Sequence, residues 1–384
     1  MALFHLIPRT KHIASHGAAA WLGGVHLVVD AVTVSAVLRC APPSGAVSDA
    51  VLASAFAFVL GYDLLAFAGQ LPLGALLDRV GGRRAATVLG VILALLSLLF
   101  VRGGSLATLV LAGLGNALFH VGAGAMVVDG SEGKAAPVGR FVAPGALGLG
   151  LGLALGKVFL AVPLWPFHIA LVAGVILAWL LPTLAVADPV CVVAGRSPMT
   201  TLGRSQTGLL VLLLFASVFI RSLVGTVACD GYPRGLFLLC ALPVAVFLGK
   251  LSGGILADRW GFAELALFAL LSSAPLLAFA GGSLPMTLVG LLLFQMTMPV
   301  TLAAMYRLLP HRPASGFGFL CVALVLGVVT AQAPGGWRPA GMALFLLVVA
   351  SAAMLFLALY RLAKAPNPSL ASASPSTLSE VQSP

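Results

Sequence analysis

Twelve runs of about 20 mostly apolar residues, cut apart by charges and by Pro and Gly clusters, fill most of this chain of 384 residues, and each is long enough to cross a lipid bilayer as a helix. In the first half they cover roughly 17–38, 50–73, 85–101, 106–128, 141–161 and 167–187. In the second half they cover roughly 207–228, 236–257, 263–280, 285–305, 315–333 and 340–360. Only 8% of the residues are charged, against about 25% in a soluble domain. A water-facing surface cannot be built from so few charges, which excludes a soluble enzyme, a nucleic-acid-binding domain and a disordered tail protein. The expected fold is an all-α membrane protein of twelve transmembrane helices.

The net charge of +10 is explained by where the basic residues fall. With the N-terminus on the cytoplasmic side, the inner segments hold Arg9, Lys11, Arg79, Arg83, Arg84, Lys134, Arg140, Arg196, Arg204, Arg259, Arg307, Arg312, Arg361 and Lys364, which is 14. The outer loops hold Arg39, Arg102, Arg234 and Arg338, which is 4. This bias predicts both termini inside. Residues 1–16 then form a cytoplasmic segment, 188–206 a cytoplasmic linker, and the Pro- and Ser-rich stretch 361–384 a disordered tail. The five cysteines are odd in number and show no close pairing, so neither a disulfide framework nor a zinc ribbon is expected.

An internal repeat divides the chain. Residues 69–81 read GQLPLGALLDRVG and residues 249–261 read GKLSGGILADRWG, at a constant offset of 180. The offset pairs Gly74 with Gly254, Asp78 with Asp258, Arg79 with Arg259 and Gly81 with Gly261, each set at the cytoplasmic end of an even-numbered span. Two six-helix halves, 17–187 and 207–360, are therefore expected in parallel repeat. At these residues the chain resembles the major facilitator superfamily, whose loop signature runs approximately Gly-x-Leu-Ala-Asp-Arg-x-Gly-Arg-Lys. The first copy meets it through Arg83 and Arg84 with one extra residue, Gly82, whereas the second departs after Gly261 into Phe262-Ala263-Glu264. The resemblance implies two pseudo-symmetric six-helix bundles and a gate formed by Gly74, Asp78, Arg79, Gly81, Arg83, Gly254, Asp258, Arg259 and Gly261. An Asp at such a helix end suits an Arg or the positive N-terminus of another helix.

Ionisable residues inside spans are expensive, and so are functional candidates. His26 and Asp30 lie four apart on the first span and share a face. Asp63 lies near the middle of the second span, and its partner at the 180 offset is Pro243, so that acid belongs to one half only. His120, on the fourth span, suits a proton relay with His26 or a helix-holding role, with Asn116 one turn earlier to orient it. These make Asp30, Asp63, His26 and His120 the candidates for proton coupling. Lys157, Arg221, Asn116 and Gln295 are the candidates for substrate binding. The resemblance places Lys157 and Arg221 in the outer half of the membrane. Lys250, only eight residues before Asp258, is expected to snorkel to the cytoplasmic surface. Gly152-x-x-x-Gly156 matches part of an antiporter motif of the superfamily, but Lys157 replaces its Pro.

A narrower resemblance, to the fosmidomycin-resistance branch that exports a phosphonate antibiotic, rests on His26 through Asp30, Ala117 through His120 and Met298 through Leu302; Val121-Gly122 stands where that branch has Pro-Glu. The expected function is a secondary active transporter of a small anionic organic solute, working by alternating access with proton-coupled efflux in a bacterial inner (plasma) membrane. The charges inside the spans carry the anion expectation: Lys157, Arg221 and Lys250 outnumber Asp30 and Asp63. Pairing of Lys157 with Asp30, and of Arg221 with outer headgroups, would instead suit a multidrug-type exporter of neutral compounds. A transporter-like sensor or assembly partner is the remaining alternative. The expected partners are substrate, protons and the lipid bilayer, with no nucleic acid, no second subunit, no cofactor and no metal. No ATP-binding loop and no enzyme motif is present in the sequence.

Overall fold

The computed structural model describes residues 7–41, 49–101, 105–161, 202–230, 235–280 and 282–365, with isolated positions 163, 165, 166, 169, 170, 172 and 232. Every regular element among them is a helix. Ten helices are long and apolar enough to cross a membrane, and an eleventh, Phe262–Ala278, is shorter at 17 residues. These eleven fall on the first to fifth and seventh to twelfth of the expected spans, whose numbers are kept below. The sixth span, most of the 188–206 linker and the tail from 366 lie outside the described residues. Several boundaries shift, among them the fifth span, which runs Ala135–Lys157 rather than 141–161. The first helix begins at Ile7, inside the segment expected to precede it. The seventh begins at Arg204 and the twelfth continues to Ala363.

Within the first half, span one (Ile7–Cys40) packs along span five (Ala135–Lys157), and span three (Arg83–Ser97) along span four (Ser105–Gly130). The second half repeats this pattern: span seven (Arg204–Val227) packs along span eleven (Pro313–Gln332), and span nine against the first part of span ten (Leu284–Gln295). Between the halves, span two meets span eleven and span five meets span eight (Leu236–Trp260). Lipid offers no hydrophobic drive between helices, so close backbone approach at small residues has to hold them. Gly74 lies against the Ala314 carbonyl and its counterpart Gly254 against the Ala135 carbonyl, where a Cβ would clash. Each motif ends its helix through a glycine at positive φ, 77° at Gly81 and 105° at Gly261.

Among the described residues, two spans are interrupted. Span two runs as Asp49–Asp63, a π-helical segment Leu64–Ala68, then Gln70–Val80. Such π segments occur frequently at functional sites, and Asp63 sits at the start of this one. Span ten breaks at Met296 between Leu284–Gln295 and Thr297–Leu308. Pro299, which lacks an N–H to give the Gln295 carbonyl four residues back, accounts for the break.

Candidate functional site

Just past the break in span ten, two hydroxyls meet span seven. The Arg221 guanidinium, only 4% exposed, donates to Thr301 Oγ1 at 3.0 Å and to Thr297 Oγ1 at 3.3 Å. No carboxylate pairs with it among the described residues, so its charge is met by neutral oxygens alone. Arg221 therefore does not reach the outer headgroups. Gln295, at the same break, lies between Gly225 on span seven and Gly249 on span eight.

Lys250 does not snorkel. Its ammonium turns inward to the Val142 carbonyl at 3.5 Å, within electrostatic reach of Asp30 and Arg221. The 180 offset makes it the counterpart of Gln70, whose side chain is fully buried. That symmetry is the sequence signal that could have found it. Lys157 is the reverse case: it is the last residue of span five and its side chain is exposed. A cation at a helix C-terminus is favoured by the carbonyls there, so Lys157 needs no buried partner and does not pair with Asp30.

Asp30 pairs with histidines instead. Its Oδ2 lies 3.1 Å from His26 Nε2 and its Oδ1 3.5 Å from His120 Nε2. The two imidazoles meet through their Nε2 atoms at 2.7 Å, edge to face. Each ring is fixed from behind: His26 Nδ1 faces the Phe141 carbonyl at 2.9 Å and His120 Nδ1 the Asn116 carbonyl at 2.9 Å. The Asn116 amide donates to Asp30 Oδ1 at 3.0 Å and to Thr33 Oγ1 at 3.3 Å, and Thr33 Oγ1 joins Tyr62 Oη at 3.0 Å. Asn116 thus orients His120 through its backbone and Asp30 through its side chain, while its own Oδ1 is buried with no partner. Asp63 stands apart, half-buried in a small groove between Leu60 on span two and Val328, Val329 and Gln332 on span eleven.

Three donors converge here within 4.8 Å, as they would around a metal ion. The spacing argues otherwise. Two nitrogens bound to one tetrahedral zinc at about 2.0–2.1 Å each stand about 3.3 Å apart, whereas 2.7 Å is a hydrogen-bond distance.

At the end of the bundle that carries the repeated motif, the two aspartates do the same thing twice. Asp78 accepts from the backbone N–H groups of Ala314 at 3.1 Å and Ser315 at 2.7 Å, at the start of span eleven. Asp258 accepts from those of Ala135 and Ala136, both at 2.8 Å, at the start of span five. Each half thereby caps a helix of the other, satisfying N–H groups that have no partner within their own helix. Arg83 is buried between Asp78 at 3.5 Å and Asp129 at 3.3 Å, and Tyr306 from the other half donates to Asp129 at 3.0 Å. Arg307 donates to the Gly133 carbonyl at 2.9 Å. Asp129, Tyr306 and Arg307 are not among the expected site residues, and nothing in their spacing singles them out. Arg79 and Arg259, which are, lie exposed and bridge nothing described between the halves.

No family sequence model and no curated protein sequence matches the chain. Solved structures do match. A major facilitator superfamily transporter, FucP, in the outward conformation superposes with a TM-score of 0.61 at 16% identity, over 91% of this chain and 99% of that one. A point variant of the E. coli fucose:proton symporter FucP gives 0.56 at 15% identity, over 93% and 98%. The human organic anion transporter MFSD10 (TETRAN) gives 0.64 at 16% identity, over 90% and 99%. The chain has the fold of the major facilitator superfamily transporters.

Proposed function

We propose that the chain is a secondary active transporter that moves a small anionic organic solute by alternating access, with proton coupling at the His26, Asp30 and His120 cluster. The observation that carries this reading is the buried cationic side of the interior. Arg221 meets only two hydroxyls, and Lys250 meets a carbonyl at the outer limit of a hydrogen bond. A buried cation without a countercharge is strongly destabilising, so a site built on Arg221, which meets no carboxylate among the described residues, is complete only when an anion binds. FucP as a proton symporter and MFSD10 as an organic anion transporter agree with the two parts of this reading. Asp78 and Asp258 act as the cytoplasmic gate: their caps tie the halves together on that side and must break for the interior to open inward, while Arg83 holds Asp78 and Asp129 within the first half.

The test is ligand-induced thermal stabilisation of the purified protein against matched anionic and neutral compounds, since binding to the folded state raises stability by mass action. Stabilisation by small phosphonates or carboxylates, lost in Arg221→Gln, is expected. Stabilisation by neutral hydrophobic compounds alone would refute the anion reading.

A further inference from the structure

The two histidines of the cluster are not free to choose their protons. A carbonyl oxygen only accepts, so the carbonyls of Phe141 and Asn116 require a hydrogen on Nδ1 of His26 and of His120. Two neutral rings with that tautomer would present two lone pairs to each other across 2.7 Å, beside a carboxylate that also only accepts. One further proton between the two Nε2 atoms removes the clash of lone pairs, and the positive charge it brings is what the adjoining carboxylate faces. We propose that His26 and His120 share a single proton along the line between their Nε2 atoms, with Asp30 as its counter-ion, so that the pair is a one-proton binding site. Its place is read from geometry; that it is the coupling proton rests on the transporter reading above.

The groups around the pair give this proton a consequence. Span one supplies Asp30, span two supplies Tyr62 through Thr33, span four supplies Asn116, span five supplies the ring and carbonyl of Phe141, and span eight supplies Lys250. With the proton bound, Asp30 is neutralised inside its own half and Lys250 is left to face an anion with Arg221. With the proton gone, the Asp30 carboxylate becomes the countercharge for Lys250, whose ammonium already reaches into the first half at the Val142 carbonyl. Proton and anion therefore load in the same state and travel in the same direction, as in a symporter.

Magnetic resonance of the whole protein labelled with 15N-histidine tests the shared proton without any cargo. The expected result is a nitrogen–nitrogen coupling across the hydrogen bond between two histidine side chains, lost on raising the pH as both rings change together. The coupling should disappear in His26→Gln and in His120→Gln and persist in Asp63→Asn. If either histidine variant fails to fold, Asp30→Asn keeps both rings and should shift the coupled pair alone. Two rings that titrate separately, an Nδ1 without its hydrogen, or a change in the pair's signals on adding a chelator would overturn the proposal. Failure here leaves anion transport standing, because that reading fails on the ligand stabilisation test instead.

Discussion

Arg221 and Lys157 show what a single charged residue reveals when its partners are known. Both are cations on apolar helices, and sequence spacing treats them alike. The structure buries Arg221 against two threonines and leaves Lys157 at an exposed helix end. Arg221→Gln should therefore weaken an anionic ligand by about 1.5–3 kcal/mol, the scale of hydrogen bonds to charged groups, while leaving a matched neutral ligand unchanged. Lys157→Gln should change neither, and calorimetry with the ligand pair checks both. Asp30→Asn removes the counter-ion of the histidine pair and should abolish gradient-driven accumulation while sparing exchange of solute across the membrane; normal accumulation would remove Asp30 from the coupling site. The four-residue spacing of His26 and Asp30 and the turn from Asn116 to His120 made this cluster legible in the sequence. The direction of Lys250 was not, because it depends on how span eight is rotated, which apolar composition on all faces leaves open.

Among the elements, spans two and eight carry the repeated motif to the helix starts they cap. The glycine one turn before each aspartate lets the backbones approach, and the carboxylate then reaches two N–H groups of the opposite half. Loss of an N-cap to Ala costs about 1 kcal/mol, so Asp78→Ala should loosen the closure between the halves without touching the interior. Spin-label distances between the cytoplasmic ends of spans two and eleven should lengthen or broaden, transport should slow, and equilibrium affinity should stay within a few fold. Unchanged distances and unchanged transport would refute the gate assignment. The aspartates were legible from the duplication itself. Asp129 and Tyr306 were not, because they meet only when two halves, distant in sequence, close on each other.

For the whole molecule, hydropathy and charge determined the architecture well because lipid imposes one answer, a bundle of helices that satisfy their own backbones. The interruptions in spans two and ten were less legible: Pro299 marks the second, but no residue type announces the π segment at Leu64–Ala68. The basic-residue bias predicts that the tail is cytoplasmic. A single thiol introduced there should resist an impermeant reagent added outside intact cells and react after permeabilisation, and labelling from outside would overturn the topology. The central claim is coupled movement of a proton and a small anion through one site, and one measurement reaches it directly: lumenal pH in proteoliposomes offered the small phosphonates and carboxylates that stabilise the protein. The account predicts that such an anion acidifies the lumen as it enters, and that Arg221→Gln and Asp30→Asn each abolish the signal. Anion entry with no proton movement, or with alkalinisation, would contradict it.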